Sequence, residues 1–185
     1  MISQEDSAKW RGLLLAACAE RPQLLPHTAV EGLRAANVAA LLNLSPVECA
    51  LVECGALIHD IGKTARHART GFHPLDGAVF VSENGGSDPL AALVAWHSSA
   101  EYEAQELGVK IPYKREISLA SRIIDVVDAT TNQQGMRVTI EERTRDIELR
   151  YSSESATVKA WHQFLPELRE SQKIVCAALG VDELM

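Results

Sequence analysis

The stretch "ALIHDIGK", Ala56–Lys63, decides the fold. An apolar run ends abruptly in an imidazole and a carboxylate, and Gly62 and Lys63 follow at once. Upstream, Ser45 is a good N-cap, Pro46 fits the first helical position and Glu48 completes a capping box. Val47, Leu51, Cys54 and Ile58 then recur at helical spacing, so the sequence predicts a buried helix that His59 and Asp60 close. Gly62 is expected in the left-handed conformation that ends helices. A helix C-terminus favours a cation, so a histidine belongs there and an aspartate does not. That asymmetry points to a bound metal.

The rest of the chain reads as helix almost throughout. Residues 7–20 place Trp10, Leu13, Leu14 and Cys18 on one stripe, and residues 26–44 do the same with Val30, Leu33, Asn37, Leu41 and Leu44. Pro74 and Pro89 mark helix starts, so helices are expected over 73–83 and 88–99. Another is expected over 116–131. Residues 65–71 and 107–114 read as loops, and 84–88 as a turn. Residues 132–152 are ambiguous, with "MRVTI" (136–140) briefly extended. Two last helices, 154–164 and 167–179, are expected on either side of Pro166. With 185 residues, 46% hydrophobic and only 5% aromatic, this is one all-α domain, a helical bundle packed through small and aliphatic side chains.

A net charge of −7 argues against nucleic acid or an anionic membrane surface as partner. Cys18, Cys49, Cys54 and Cys176 form no CxxC pair and read as reduced thiols of a cytoplasmic protein. "LAAC" (15–18) imitates a lipoprotein cleavage site, but the apolar run from Gly12 to Ala17 is too short for export. No stretch has the length of a membrane span. A homodimer is compatible with the sequence.

Histidines and aspartates fall on separate helices: His27, His59 with Asp60, His73, His97, and Asp125 with Asp128. Buried carboxylates need a partner or a metal, and imidazoles beside them are good ligands for a transition ion. His67 and His162 read as a solvated and a packing histidine.

The pattern H…HD…D resembles the HD-domain superfamily of metal-dependent phosphohydrolases, over about residues 26–131. "GFHPLDGA" (71–78) and "VAWHSS" (94–99) resemble the two extra histidines of its dinuclear subgroup. That subgroup spans HD-GYP phosphodiesterases, diadenosine-tetraphosphate hydrolases and mixed-valence di-iron oxygenases. The resemblance implies two divalent transition-metal ions, with iron or manganese favoured over zinc, magnesium, nickel or cobalt. His27, His59, Asp60 and Asp125 would hold the first ion. Asp60 would bridge to the second, completed by His73 and His97. The first Asp of the D-x-x-D pair would be the ligand, with Asp128 behind it. Asp60 and Lys63 would be catalytic, and Lys63 and Arg122 would contact a small phosphorylated substrate, a metabolite or nucleotide. Two departures stand out. No Gly-Tyr-Pro tripeptide occurs, which argues against cyclic di-GMP cleavage, and Trp96 stands where relatives often carry another His. The implied activity is hydrolysis of a phosphoester. A di-iron oxygenase on the same ligands and a non-catalytic metal-binding regulator are the alternatives.

Overall fold

The computed structural model describes residues 6–64, 66–182 and 184. Among them the architecture is all-α. The helices are α1 (Ser7–Ala17), α2 (Leu25–Leu41), α3 (Pro46–Ile58), α4 (His73–Glu83), α5 (Asp88–Ala95), α6 (Ala100–Leu107), α7 (Leu119–Ala129), α8 (Ile140–Arg150) and α9 (Ala156–Leu179). Short 3₁₀ turns join α1 to α2 and follow α3 at Ile61–Lys63.

The start of α3 follows the local chemistry. Ser45 and Glu48 form the reciprocal capping box, and Pro46 sits in the first turn. The far end of α3 is buried all round, from Cys54 through Asp60. On one side Cys54, Leu57 and Ile58 pack with Trp10 and Leu14 of α1, Phe80 and Val81 of α4, and Leu90 and Val94 of α5. On another, Val52 and Ala56 pack with Ala35, Val38 and Ala39 of α2 and Ile123, Ile124 and Val127 of α7. Each such aliphatic side chain withdrawn from water contributes about 1.5–3 kcal/mol. A third cluster joins Val126 and Ala129 of α7 to Ile140 and Ile147 of α8 and to Trp161, Phe164 and Leu168 of α9. Helices α3 and α7 are thus walled in by the others, and their C-terminal ends lie inside the molecule.

The structure departs from the sequence reading at five places. The stripe expected along α2 is exposed at Leu33, Asn37 and Leu41, and Ala35, Val38 and Ala39 carry the buried apolar face instead. Gly62 has no positive φ. It lies in the 3₁₀ turn, where a Cβ would stand 2.1 Å from the His73 carbonyl oxygen and 2.6 Å from the Gly77 nitrogen. Its glycine serves close packing of this turn on α4, not helix termination. Residues 140–150 form a helix, capped by Thr139 and Glu142 in a second capping box, and "MRVTI" contributes only an isolated bridge between Thr131 and Arg137. The expected 88–99 helix stops at Ala95, and a separate α6 follows. Finally, α9 runs unbroken through Pro166. Pro166 and His162, whose carbonyl loses its partner, are both exposed, so water replaces the missing N–H.

Cys18, Cys54 and Cys176 are buried and Cys49 is half-buried. Among the described residues no helix is long and apolar enough to cross a membrane.

Candidate metal centre

Five helix ends deliver the polar cluster. His27 lies in the first turn of α2, and Glu31 follows one turn later on the same face. His59 caps α3, and Asp60 opens the 3₁₀ turn behind it. His73 begins α4, and His97 comes two residues after α5. Asp128 is in the last turn of α7.

Three of the imidazoles are oriented by backbone carbonyls. His59 Nδ1 donates to Ala56 O at 2.8 Å, His97 Nδ1 to Val94 O at 2.7 Å, and His27 Nδ1 to Asn132 O at 3.1 Å. A carbonyl can only accept, so Nδ1 carries a proton and each Nε2 is turned inward. The Asn132 carbonyl is fixed in turn by a tight turn, accepting from Gly135 N at 2.9 Å. Gly135 has φ +76°, and a Cβ there would meet Pro26 O at 2.6 Å.

The inward atoms converge on Asp60. Its Oδ1 lies 3.4 Å from His59 Nε2, 3.4 Å from His73 Nε2 and 3.8 Å from His97 Nε2. Its Oδ2 lies 4.0 Å from His27 Nε2 and accepts from Lys63 Nζ at 2.7 Å. His73 Nε2 and His97 Nε2 are 3.3 Å apart. Beneath them, His27 Nε2 approaches Glu31 Oε1 at 2.8 Å and Asp128 Oδ1 at 3.4 Å. Asp128 also accepts from Arg143 Nη2 of α8 at 3.2 Å.

The electrostatics of this arrangement are those of a cation site. Burial favours neutral Asp60 and Asp128, yet nearby charge holds both carboxyls well below their usual range: His59, Lys63 and His73 for Asp60, and His27 and Arg143 for Asp128. Burial opposes charge on His27, but Glu31 and Asp128 outweigh it and raise His27 to about 10. Burial, with His59 and His73 close by, lowers His97 to about 3. Burial raises the Glu31 carboxyl. Both Glu31 oxygens, His59 Nε2 and Asp60 Oδ1 are buried without a hydrogen-bond partner. Such atoms are costly to bury alone, and lone pairs facing one another are resolved by a cation. Two sets of donor atoms have the mutual spacing of ligands: His27, Glu31, His59 and Asp128, and His59, Asp60 and His97. This cluster can hold a divalent metal.

The two aspartates of α7 are placed differently from the expectation. Asp125 belongs to neither set. Its Oδ1 accepts from the Ser98 amide at 2.7 Å, and burial pushes its carboxyl well above the usual range despite that bond. Ser98 has φ +54°, a conformation that costs a non-glycine residue about 1–2 kcal/mol. Asp125 therefore holds the bend beyond His97, and Asp128, expected behind it, is the carboxylate in the cluster. Arg122 is directed away from the cluster, donating to Ser171 Oγ on α9 at 2.9 Å. The sequence reading missed Glu31 and Arg143. Glu31 had a legible signal, its place four residues after His27 on one helical face; Arg143 had none until α8 was known. His67 packs 4.4 Å from the Phe80 ring, and His162 pairs with Glu148 at 3.1 Å.

The cluster floors a cavity of about 630 Å³. Lys63, Arg21, Arg143 and Arg150 bring positive charge to its wall, and Leu24, Ile147, Tyr151 and Trp161 an apolar side.

A family model described as the HD domain matches residues 32–133, more than half of the sequence. The chain belongs to the HD domain family. That family is generally one of metal-dependent phosphohydrolases. In this HD domain the matched span includes His59, Asp60, His73, His97, Asp125 and Asp128, while His27 and Glu31 precede its start. Comparison with curated proteins and with solved structures returned no significant match.

Proposed function

We propose that this HD domain hydrolyses a phosphoester of a small phosphorylated molecule with two divalent ions bound at the cluster. His27, His59, Asp60 and Asp128 would hold one ion, and Asp60, His73 and His97 the other. The observation that carries this reading is Asp60. Its buried Oδ1 has three imidazole nitrogens within 3.8 Å and no hydrogen-bond partner, while its Oδ2 meets Lys63 at the cavity. A carboxylate with one oxygen facing each group of ligands suits a bridging role that a neutral imidazole cannot take.

Bound ions of this kind polarise a phosphoryl oxygen and bring the pKa of water from ~15.7 toward about 7. The chain does the rest. The Lys63 ammonium is a compact cation on the cavity wall, suited to a phosphoryl oxygen. Arg21 donates to the Lys63 carbonyl and so fixes the backbone of that turn. The apolar side formed by Leu24, Ile147 and Trp161 limits water to the polar floor.

The test is phosphate release from a panel of mono- and diesters with Mn²⁺ or Fe²⁺, for wild type and Asp60→Ala. Release by wild type and none by the variant is the expected result. Equal inertness across the panel rejects the reading. Oxygen uptake by anaerobically purified, iron-loaded protein, without phosphate release, would replace it with an oxygenase.

A further inference from the structure

Glu31 is a glutamate without solvent and without a lysine or arginine in contact. It is fully buried, and neither oxygen has a hydrogen-bond partner. Among the described residues no lysine or arginine pairs with it; its near neighbours are His27 Nε2 at 2.8 Å and His59 Nδ1 at 3.1 Å. The His59 nitrogen is already engaged by Ala56 O. The His27 nitrogen facing Glu31 is the one that no backbone carbonyl holds. A separation of 2.8 Å is also what two donors on one ion, each about 2.0–2.2 Å from it, would have at neighbouring positions.

We propose that Glu31 is a protein donor to the inner of the two ions, together with His27, His59 and Asp128. The four donor atoms lie within 4.8 Å of one another, and all four residues are buried. Asp60, the bridging carboxylate, would reach this ion as well. The outer position, at Asp60, His73 and His97, is different. His73 is partly exposed, and Lys63 and the cavity lie against this side. The two ions are therefore unequal. The inner is closed by protein and exchanges slowly; the outer keeps open positions for water and substrate. Only the existence of the outer ion rests on the two-ion hydrolase reading.

The experiment strips the protein with a chelator, reloads it with Mn²⁺ alone, and measures ion content by elemental analysis before and after a brief chelator wash. Wild type is expected to keep one ion through the wash and lose the other. Glu31→Gln, which keeps shape but removes charge, should weaken the wash-resistant ion by about tenfold or more. It should leave the weaker ion unchanged. Loss of both ions together from wild type overturns the proposal, as does a Gln variant that retains the resistant ion normally. Circular dichroism of the metal-free Gln variant checks that it folds. Should it not fold, Glu31→Asp decides: a weakened resistant ion supports the proposal, and normal retention overturns it. Phosphate release by wild type with normal retention in the variant sinks this inference alone. Retention as expected with no release from any ester sinks the hydrolase reading alone.

Discussion

Lys63 and Asp60 form the closest charged contact at the mouth of the site, 2.7 Å apart, and Lys63 is still about one-third exposed. Its ammonium has donors left for a substrate. Hydrogen bonds to charged groups are worth about 1.5–3 kcal/mol. Lys63→Ala should therefore lower kcat/KM by about 10–100-fold while metal content stays normal; elemental analysis beside initial rates checks this. A variant that loses its ions would instead make Lys63 a prop for Asp60. At this scale the sequence was partly legible. His27, His59, Asp60, His73 and His97 could be named because they match the H…HD pattern and the two extra histidines of the family it resembles. The resemblance put Asp125 ahead of Asp128 as the ligand, and the residues alone gave no ground for the order, because the two are one helical turn apart on the same apolar helix. What separates them is the partner each meets, the Ser98 amide or His27, and neither partner is near in sequence.

At the scale of elements, the 3₁₀ turn Ile61–Lys63 seats Asp60 against α4. Gly62→Ala would place a methyl on the His73 carbonyl. Overpacking of this kind costs about 1–3 kcal/mol. The variant should unfold at lower denaturant and bind metal more weakly, because Asp60 and His73 are pushed apart. An unchanged denaturation midpoint would show that the turn has room. Helix α9 gives the opposite case. Proline in a helix interior is worse than alanine by about 3 kcal/mol. Pro166→Ala should raise stability by up to about that amount in a urea titration, with metal binding unaffected. The proline looked like a break because sequence shows the lost N–H but not the exposed face it sits on. Helix α8 was hidden for another reason: seven of its eleven residues are charged, and only Ile140 and Ile147 are buried. Its capping box was readable; its apolar stripe was too thin to see.

At the scale of the whole molecule, the cluster links metal, protons and stability. His27 is raised to about 10 without metal, so it is protonated at neutral pH and a cation must displace that proton. Apparent metal affinity should rise by about tenfold per pH unit between pH 7 and 9, with proton release, as a titration in two buffers of different ionisation enthalpy would read. A pH-independent affinity would remove His27 from the ligands. In the metal-free protein the same group works the other way. Its folded pKa lies above its unfolded value of about 6.5, so its stabilisation is complete below that pH and is lost as pH rises through about 10. Asp60 and Asp128, held low, stabilise above their ordinary range and lose that contribution as pH falls through their depressed folded values. The all-α bundle was legible from periodicity and caps alone. The convergence of its ends was not, because nothing in a helix's own sequence says what its terminus will face. That convergence has a kinetic corollary. The carboxyl ends of α3, α5 and α7 meet the amino ends of α2 and α4 at the cluster, so their half charges of opposite sign largely offset. The three buried carboxylates are then what makes the bare floor repel a phosphate. Addition must then be ordered: cations enter first, and only afterwards does the same floor become attractive to an anionic ester.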